Sequence, residues 1–281
     1  MALTSFNPHL TRLNYQVKMY LCVPMNITFY KYQGTGNDFI MIDNRTKTFP
    51  KQTDIIHKLC DRHFGIGADG LILLENDTDT DFKMVYYNAD GNESTMCGNG
   101  GRCIVAFAKQ LALFDTTTTF NAIDGLHHAS VKNDIVSLQM IDVETVDIYQ
   151  THIFTNTGSP HHVELVTDID TFDVYNNGKR IRNDIYGSVG SNVNFVEAIN
   201  NNTFRVRTYE RGVENETLAC GTGATAAAIA MHQLKKTSNT SLDMLVQGGK
   251  LTVSFDFNNE KYSNIHLTGP ATFVFSGNIH I

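Results

Sequence analysis

Cysteine is scarce in this chain: five residues in 281, at positions 22, 60, 97, 103 and 220. An odd and sparse set does not build a disulfide framework, and it fits a reducing compartment, so a cytoplasmic location is expected. Long apolar runs are missing too. None approaches the roughly 18 residues that a membrane-spanning helix requires, and the stretch 19–23 is too short for a signal-peptide core. There is no lysine- and arginine-rich patch, and the net charge is −7. Both argue against a nucleic acid or an anionic membrane as partner. With 42% hydrophobic and 18% charged residues, the chain has the composition of a globular protein and not of a disordered one. Its length suffices for two ordinary domains with their own cores. Residues 1–24 carry no strand or helix period and are expected to be an extension outside the fold, with no assigned role.

One stretch occurs twice. Residues 92–100 read Asn-Glu-Ser-Thr-Met-Cys-Gly-Asn-Gly and residues 215–223 read Asn-Glu-Thr-Leu-Ala-Cys-Gly-Thr-Gly, so that Cys220 lies 123 residues after Cys97. Each copy follows an apolar run ending in tyrosine and leads into small and apolar residues suited to a helix. Each half therefore reads as strand, glycine-bearing loop, cysteine, helix start.

The surrounding pattern supports a duplication. In the first half, strands are expected at 27–32 and 39–43 around a Gly-Thr-Gly-Asn-Asp turn. A helix over 54–63 follows with Thr53 as its cap, then the glycine-rich 64–70, strands at 71–75 and 82–87, a helix over 102–113, and strands near 117–122, 127–132 and 135–140. In the second half, Ser159-Pro160-His161-His162 takes the place of the turn at 35–38, with His161 matched to Asn37. A helix is expected over 169–179, residues 192–197 match 69–75 with Asn192 at Asp69, and strands are expected at 204–209, 243–246, 250–257 and 262–267. Three landmarks in register point to a duplicated α+β lobe and a cleft between two copies. The boundaries expected are 25–141 and 142–269, with 270–281 returning to the first lobe.

At the first turn of a helix, unpaired backbone N–H groups and the positive end of the dipole favour a thiolate. The glycines after each cysteine let a ligand carboxylate approach the same N–H groups. Two such loops related by an approximate dyad would clamp one carboxylate between two thiols. That arrangement suits inversion of a stereocentre, in which one face of a carbon loses a proton and the other face gains one. For Cys60 and Cys103, which have no repeated counterpart, the ordinary fate of a free cysteine as a small buried hydrophobe is expected. No metal is expected: Cys97 and Cys103 lack a zinc spacing, and His127-His128 and His161-His162 are remote from them. A Cys–His hydrolase with His161 as base would leave the second cysteine loop without a purpose. A thiol redox protein would instead work through a Cys97–Cys220 disulfide.

Residues 25–281 resemble the diaminopimelate epimerases, cofactor-independent enzymes that interconvert LL- and meso-diaminopimelate. The motifs that carry the likeness are Gly-Thr-Gly-Asn-Asp-Phe at 34–39, Arg-His-Phe-Gly-Ile-Gly-Ala-Asp-Gly at 62–70, Asn-Ala-Asp-Gly at 88–91, Met-Cys-Gly-Asn-Gly-Gly-Arg-Cys at 96–103, and the run from Glu210-Arg211-Gly212 to Ala219-Cys220-Gly221-Thr222-Gly223. The resemblance implies two pseudo-symmetric α+β lobes, each a mixed or antiparallel sheet wrapped around a central helix, with the active site in the cleft. It implies no cofactor, an amino-acid substrate and a homodimer. Cys97 and Cys220 would be the acid/base thiols, with His161 assisting the first and Glu210 the second. Backbone N–H groups of Gly98, Asn99, Gly221 and Thr222 would hold the reacting carboxylate, and Asn37 would contact that end. Asn88, Asn192, Glu210 and Arg211 would hold the distal amino-acid head, arginine being suited to a carboxylate through two parallel hydrogen bonds.

Two positions depart from the family pattern. Gly70 stands where some members have a glutamine that reaches the reacting end, and Ser159 where many have an asparagine for the distal end. Proline and other cofactor-free racemases share the two-cysteine plan but have no need of a second amino-acid-binding set, so Arg211 and the asparagines favour the two-headed substrate.

Overall fold

The computed structural model describes residues 25–281; the expected extension over 1–24, and Cys22 with it, lies outside the described residues. The first half of the described chain runs β1 (Asn26–Gly34), β2 (Asn37–Asp43), α1 (Thr53–Cys60), β3 (Gly70–Glu75), β4 (Phe82–Asn88), β5 (Glu93–Ser94), α2 (Gly98–Gln110), β6 (Thr117–Ala122), β7 (Gly125–Lys132) and β8 (Ile135–Gln139). The second half runs β9 (Val146–Ile148), β10 (Ile153–Asn156), β11 (Pro160–Leu165), α3 (Val174–Asp184), β12 (Asn192–Asn200), β13 (Thr203–Glu210), β14 (Asn215–Thr217), α4 (Gly221–Gln233), β15 (Ser241–Val246), β16 (Gly249–Asn258), β17 (Lys261–Pro270) and β18 (Thr272–His280).

The strand ladders repeat. β1 pairs antiparallel with β2, β2 parallel with β3, and β3 antiparallel with β4; β4 then pairs antiparallel with β5 and parallel with β6. β10 to β15 reproduce the same sequence of pairings. The last strand of each half crosses over. β18 pairs with β1 as β9 pairs with β10, so each sheet is completed by a strand that follows the other half's last hairpin. β8 and β17 pair with each other and join the halves. The result is a two-lobed α+β fold of mixed sheets, each curved around one helix.

Those central helices are α2 and α4, and their composition explains their place. A helix apolar all round belongs inside a core. In α4 the run Ala224, Ala226, Ala227, Ala228, Ile229, Ala230 and Met231 is fully buried, and its small side chains let the strands close in around it. In α2, Ile104, Phe107 and Ala108 do the same. Both helices belong to one continuous core that also holds Leu138, Leu251 and Leu267 at the junction. The peripheral helices cover the outer faces. On β2 and β3, Phe39, Met41, Ile72 and Leu74 face α2, whereas Ile40, Ile42, Leu71 and Leu73 face Ile56 and Leu59 of α1. Burial on both faces is why 70–75 has no polar alternation. On β12, Val193 and Phe195 face Val174 and Ile181 of α3.

Several expected boundaries shift. The first helix ends at Cys60, because Asp61 is extended and its carboxylate accepts from the N–H groups of His63 and Phe64 in a turn. Its cap position is Gln52, not Thr53, and no side chain caps it. The helix expected over 102–113 starts at Gly98 and stops at Gln110. That expected over 169–179 runs 174–184, set by Asp173, whose carboxylate accepts from Asn176 N at 3.1 Å. The register between halves also differs. His161 faces Asn192 across the parallel ladder as Phe39 faces Gly70, so His161 is the counterpart of Phe39 and Asn192 that of Gly70.

Candidate active site

Cys97 and Cys220 are the N-cap residues of α2 and α4, both extended in backbone (φ −105° and −118°). The two helix starts meet head to head at the next residue. A side chain on Gly221 would put its Cβ 3.2 Å from Gly98 Cα, and one on either glycine would lie 2.8 Å from Leu267 Cδ2. Only glycine allows that approach. Asn99 bridges the junction by donating from Nδ2 to Ala219 O at 2.9 Å. The free first-turn amides of both helices thus open on one place, with a cysteine on either side. The Cys97 sulfur accepts from Gly100 N at 3.2 Å and lies 3.9 Å from Asn37 Oδ1; the Cys220 sulfur lies 3.5 Å from the Thr222 hydroxyl. All four cysteines among the described residues are free. Cys60 and Cys103 are buried in the cores.

The thiol ionisation differs from the sequence expectation. Burial pushes the Cys97 thiol up to about 11 and the Cys220 thiol to about 12, with the Glu210 charge adding to both. Desolvation of a thiolate outweighs the helix terminus here. Glu210 is itself raised by burial, while Thr217 donates to its Oε2 at 3.0 Å.

His161 is fully buried. Asn194 is oriented by donating Nδ2 to His162 O at 2.9 Å and accepting from the Thr208 hydroxyl at 2.9 Å, so the same Nδ2 donates to His161 Nδ1 at 3.1 Å. The network therefore assigns the imidazole proton to Nε2, which has no hydrogen-bond partner among the described residues. Burial, and then the Arg211 charge, hold its pKa down to about 3. The ring is a neutral donor, and no hydrogen bond joins it to Cys97.

A second cluster lies beside the first. Asn192 accepts from Arg211 N at 2.9 Å and donates to Ser159 Oγ at 3.3 Å, and Arg211 Nη2 donates to the same oxygen at 3.4 Å. Asn37 joins the Cys97 side, donating to Asp69 Oδ2 at 2.6 Å. Asn88 stands exposed at the end of β4, where its backbone closes the 88–92 turn; among the described residues its side chain bonds to none of the others. Gly70 has no room for a side chain, since a Cβ would lie 2.6 Å from both the Tyr86 ring and Tyr87 O. Tyr86 therefore fills the place at which a glutamine would start. Sequence reasoning assigned no role to Tyr86, Asn194 or Arg102. The signal for Asn194 was its spacing of two from Asn192, which puts both on the inner face of β12.

Among solved structures, the chain resembles a PhzF-family phenazine biosynthesis protein of Bacillus anthracis (TM-score 0.74, 14% identity, 92% of this chain and 100% of that one). It also resembles a hydroxyproline epimerase of Agrobacterium vitis (TM-score 0.66, 14% identity, 91% and 93%). The fold is thus that of the two-lobed PhzF and proline-racemase-type proteins. Within that class the sequence is specific. The family model for diaminopimelate epimerase matches residues 29–146 and 153–274, and the chain belongs to that family. The diaminopimelate epimerase of Flavobacterium psychrophilum is 64% identical over 253 residues (89% of this chain, 99% of the relative), and that of Chlorobaculum tepidum 42% over 257 residues (88% and 98%). Among the described residues, no helix is long and apolar enough to cross a membrane.

Proposed function

We propose that the protein epimerises LL-2,6-diaminopimelate to the meso form, a step in lysine and peptidoglycan-precursor synthesis, by a two-base mechanism without a cofactor. In this reading the thiolate of one of Cys97 and Cys220 takes the α-proton from one face while the thiol of the other delivers a proton to the opposite face. Negative charge that develops on the α-carboxylate is met by the N–H groups of Gly98, Asn99, Gly221 and Thr222, each worth about 3 kcal/mol by analogy with oxyanion-hole donors. His161 would donate Nε2–H to the Cys97 thiolate or to the carboxylate, and Glu210 would exchange a proton with Cys220. Arg211, Asn192 and Ser159 would grip the distal head, with Asn88 at the rim and Asn37 at the reacting end. The observation that carries the reading is the meeting of two cysteine-capped helix starts at Gly98 and Gly221, with a cationic, amide-lined cluster beside them.

The cleft would lie between lobes 25–141, with 270–281, and 142–269. A homodimer is part of the same proposal. β18 pairs only with β1 among the described residues and exposes Phe273, Val274 and Phe275, an apolar edge of the kind that invites a second strand.

The test is incubation of the reduced protein with diaminopimelate in deuterated water. The reading requires isotope at one α-carbon and equilibration of the LL and meso forms, both lost in Cys97→Ala and Cys220→Ala. Exchange confined to proline, or full activity without Cys220, overturns it.

A further inference from the structure

Arg102, in the second turn of α2, is fully buried, and none of its partners among the described residues is an anion. It donates to Asn99 Oδ1 at 2.9 Å, Gly98 O at 3.2 Å, Thr35 Oγ1 at 3.3 Å and Pro270 O at 3.5 Å. Burial lowers its pKa, but a guanidinium does not give up its proton in a protein. A buried charge whose partners are all neutral is expensive, and its counter-charge has to be found nearby. The ionisable groups that act on it are Cys97, the cap of its own helix, and Cys103, the next residue along it.

The position matters because the pseudo-symmetry fails there. In α4 the counterpart is Thr225, whose hydroxyl donates to Gly221 O at 3.0 Å as Arg102 donates to Gly98 O. The backbone bond is conserved between the halves; the charge is not. Arg102 also fixes Asn99. By occupying Oδ1 it turns Nδ2 toward Ala219 O and, at 3.4 Å, Asn37 Oδ1.

We infer that Arg102 is a positioning residue that makes the two thiols unequal, holding Asn99 across the junction and favouring ionisation at Cys97 over Cys220. The inference rests on the two-thiol reading above. Arg102 acts to lower the Cys97 pKa against the raising effect of Glu210, and it does not figure among the influences on Cys220.

The experiment is alkylation of the reduced full chain by iodoacetamide, with Cys97 and Cys220 read separately by peptide mass spectrometry. Arg102→Met should slow Cys97 about tenfold at constant pH, one pH unit of thiolate fraction, and leave Cys220 unchanged. Arg102→Lys should restore Cys97 to within about twofold of the wild-type rate, since it keeps the charge. Equal slowing at both sites, or none, overturns the inference. If the methionine variant does not fold, the wild-type protein decides: with 13C-labelled cysteine, the Cys97 resonance must move before that of Cys220 as pH rises, and the reverse order refutes it. None of these readouts uses turnover, so a chain inactive on diaminopimelate could still pass, and an active one could fail.

Discussion

Replacing His161 with phenylalanine, the residue at its counterpart position in the other lobe, should make the protein more resistant to acid. In the unfolded chain the imidazole takes up a proton near pH 6.5, whereas in the fold burial holds its pKa down to about 3. Above pH 6.5 neither state is protonated and His161 adds no pH dependence. Between pH 6.5 and 3 the unfolded state binds one more proton, and stability falls by about 1.4 kcal/mol per pH unit. Going from pH 7.5 to 4.5, the wild type should therefore lose about 2.7 kcal/mol more than His161→Phe. Other histidines lowered by burial, His152, His232 and His266, are present in both proteins and cancel in the difference. The assay is urea denaturation of both proteins at the two pH values, with the pH 7.5 difference as baseline. Parallel pH dependences would mean that His161 titrates normally in the fold, and the account of a neutral, buried donor would be wrong. Epimerisation should fall in the same variant, so the exchange trades activity for acid stability.

Two further outcomes test the packing. A Cβ at Gly248 would lie 1.7 Å from the Thr35 carbonyl oxygen, a backbone atom in the turn that carries Asn37, so Gly248→Ala should cost about 1–3 kcal/mol by denaturation and lower kcat/KM; unchanged stability contradicts the contact between the lobes. Val274→Glu on β18 should convert a wild-type dimer to a monomer in sedimentation velocity with the far-UV circular dichroism unchanged. A monomeric wild type refutes the proposed edge contact.

The two cysteine loops were legible because their chemistry is local. Glycines after a cysteine at a helix start are needed whatever the rest of the chain does, and the duplication wrote them twice. The class of fold and the family followed from the same motifs. The match of His161 to Asn37 failed because sequence spacing cannot register a parallel ladder. The pairing of His161 with Asn192 shifts it onto Phe39. The helix over 98–110 began earlier than expected because its glycines, poor helix formers in isolation, are held by the buried junction.

Sequence by itself determined that each central helix begins near a cysteine and that both lobes share one plan, since backbone geometry and small side chains act at short range. Tertiary structure alone decided the electrostatics. Whether a helix start lowers a thiol or burial raises it depends on how many atoms of other elements displace water, and at Cys97 and Cys220 burial won. The same applies to Arg102. Its charge is visible in any reading of the chain, but its neutral surroundings among the described residues exist only once α2, the Thr35 turn and the end of β17 are packed together.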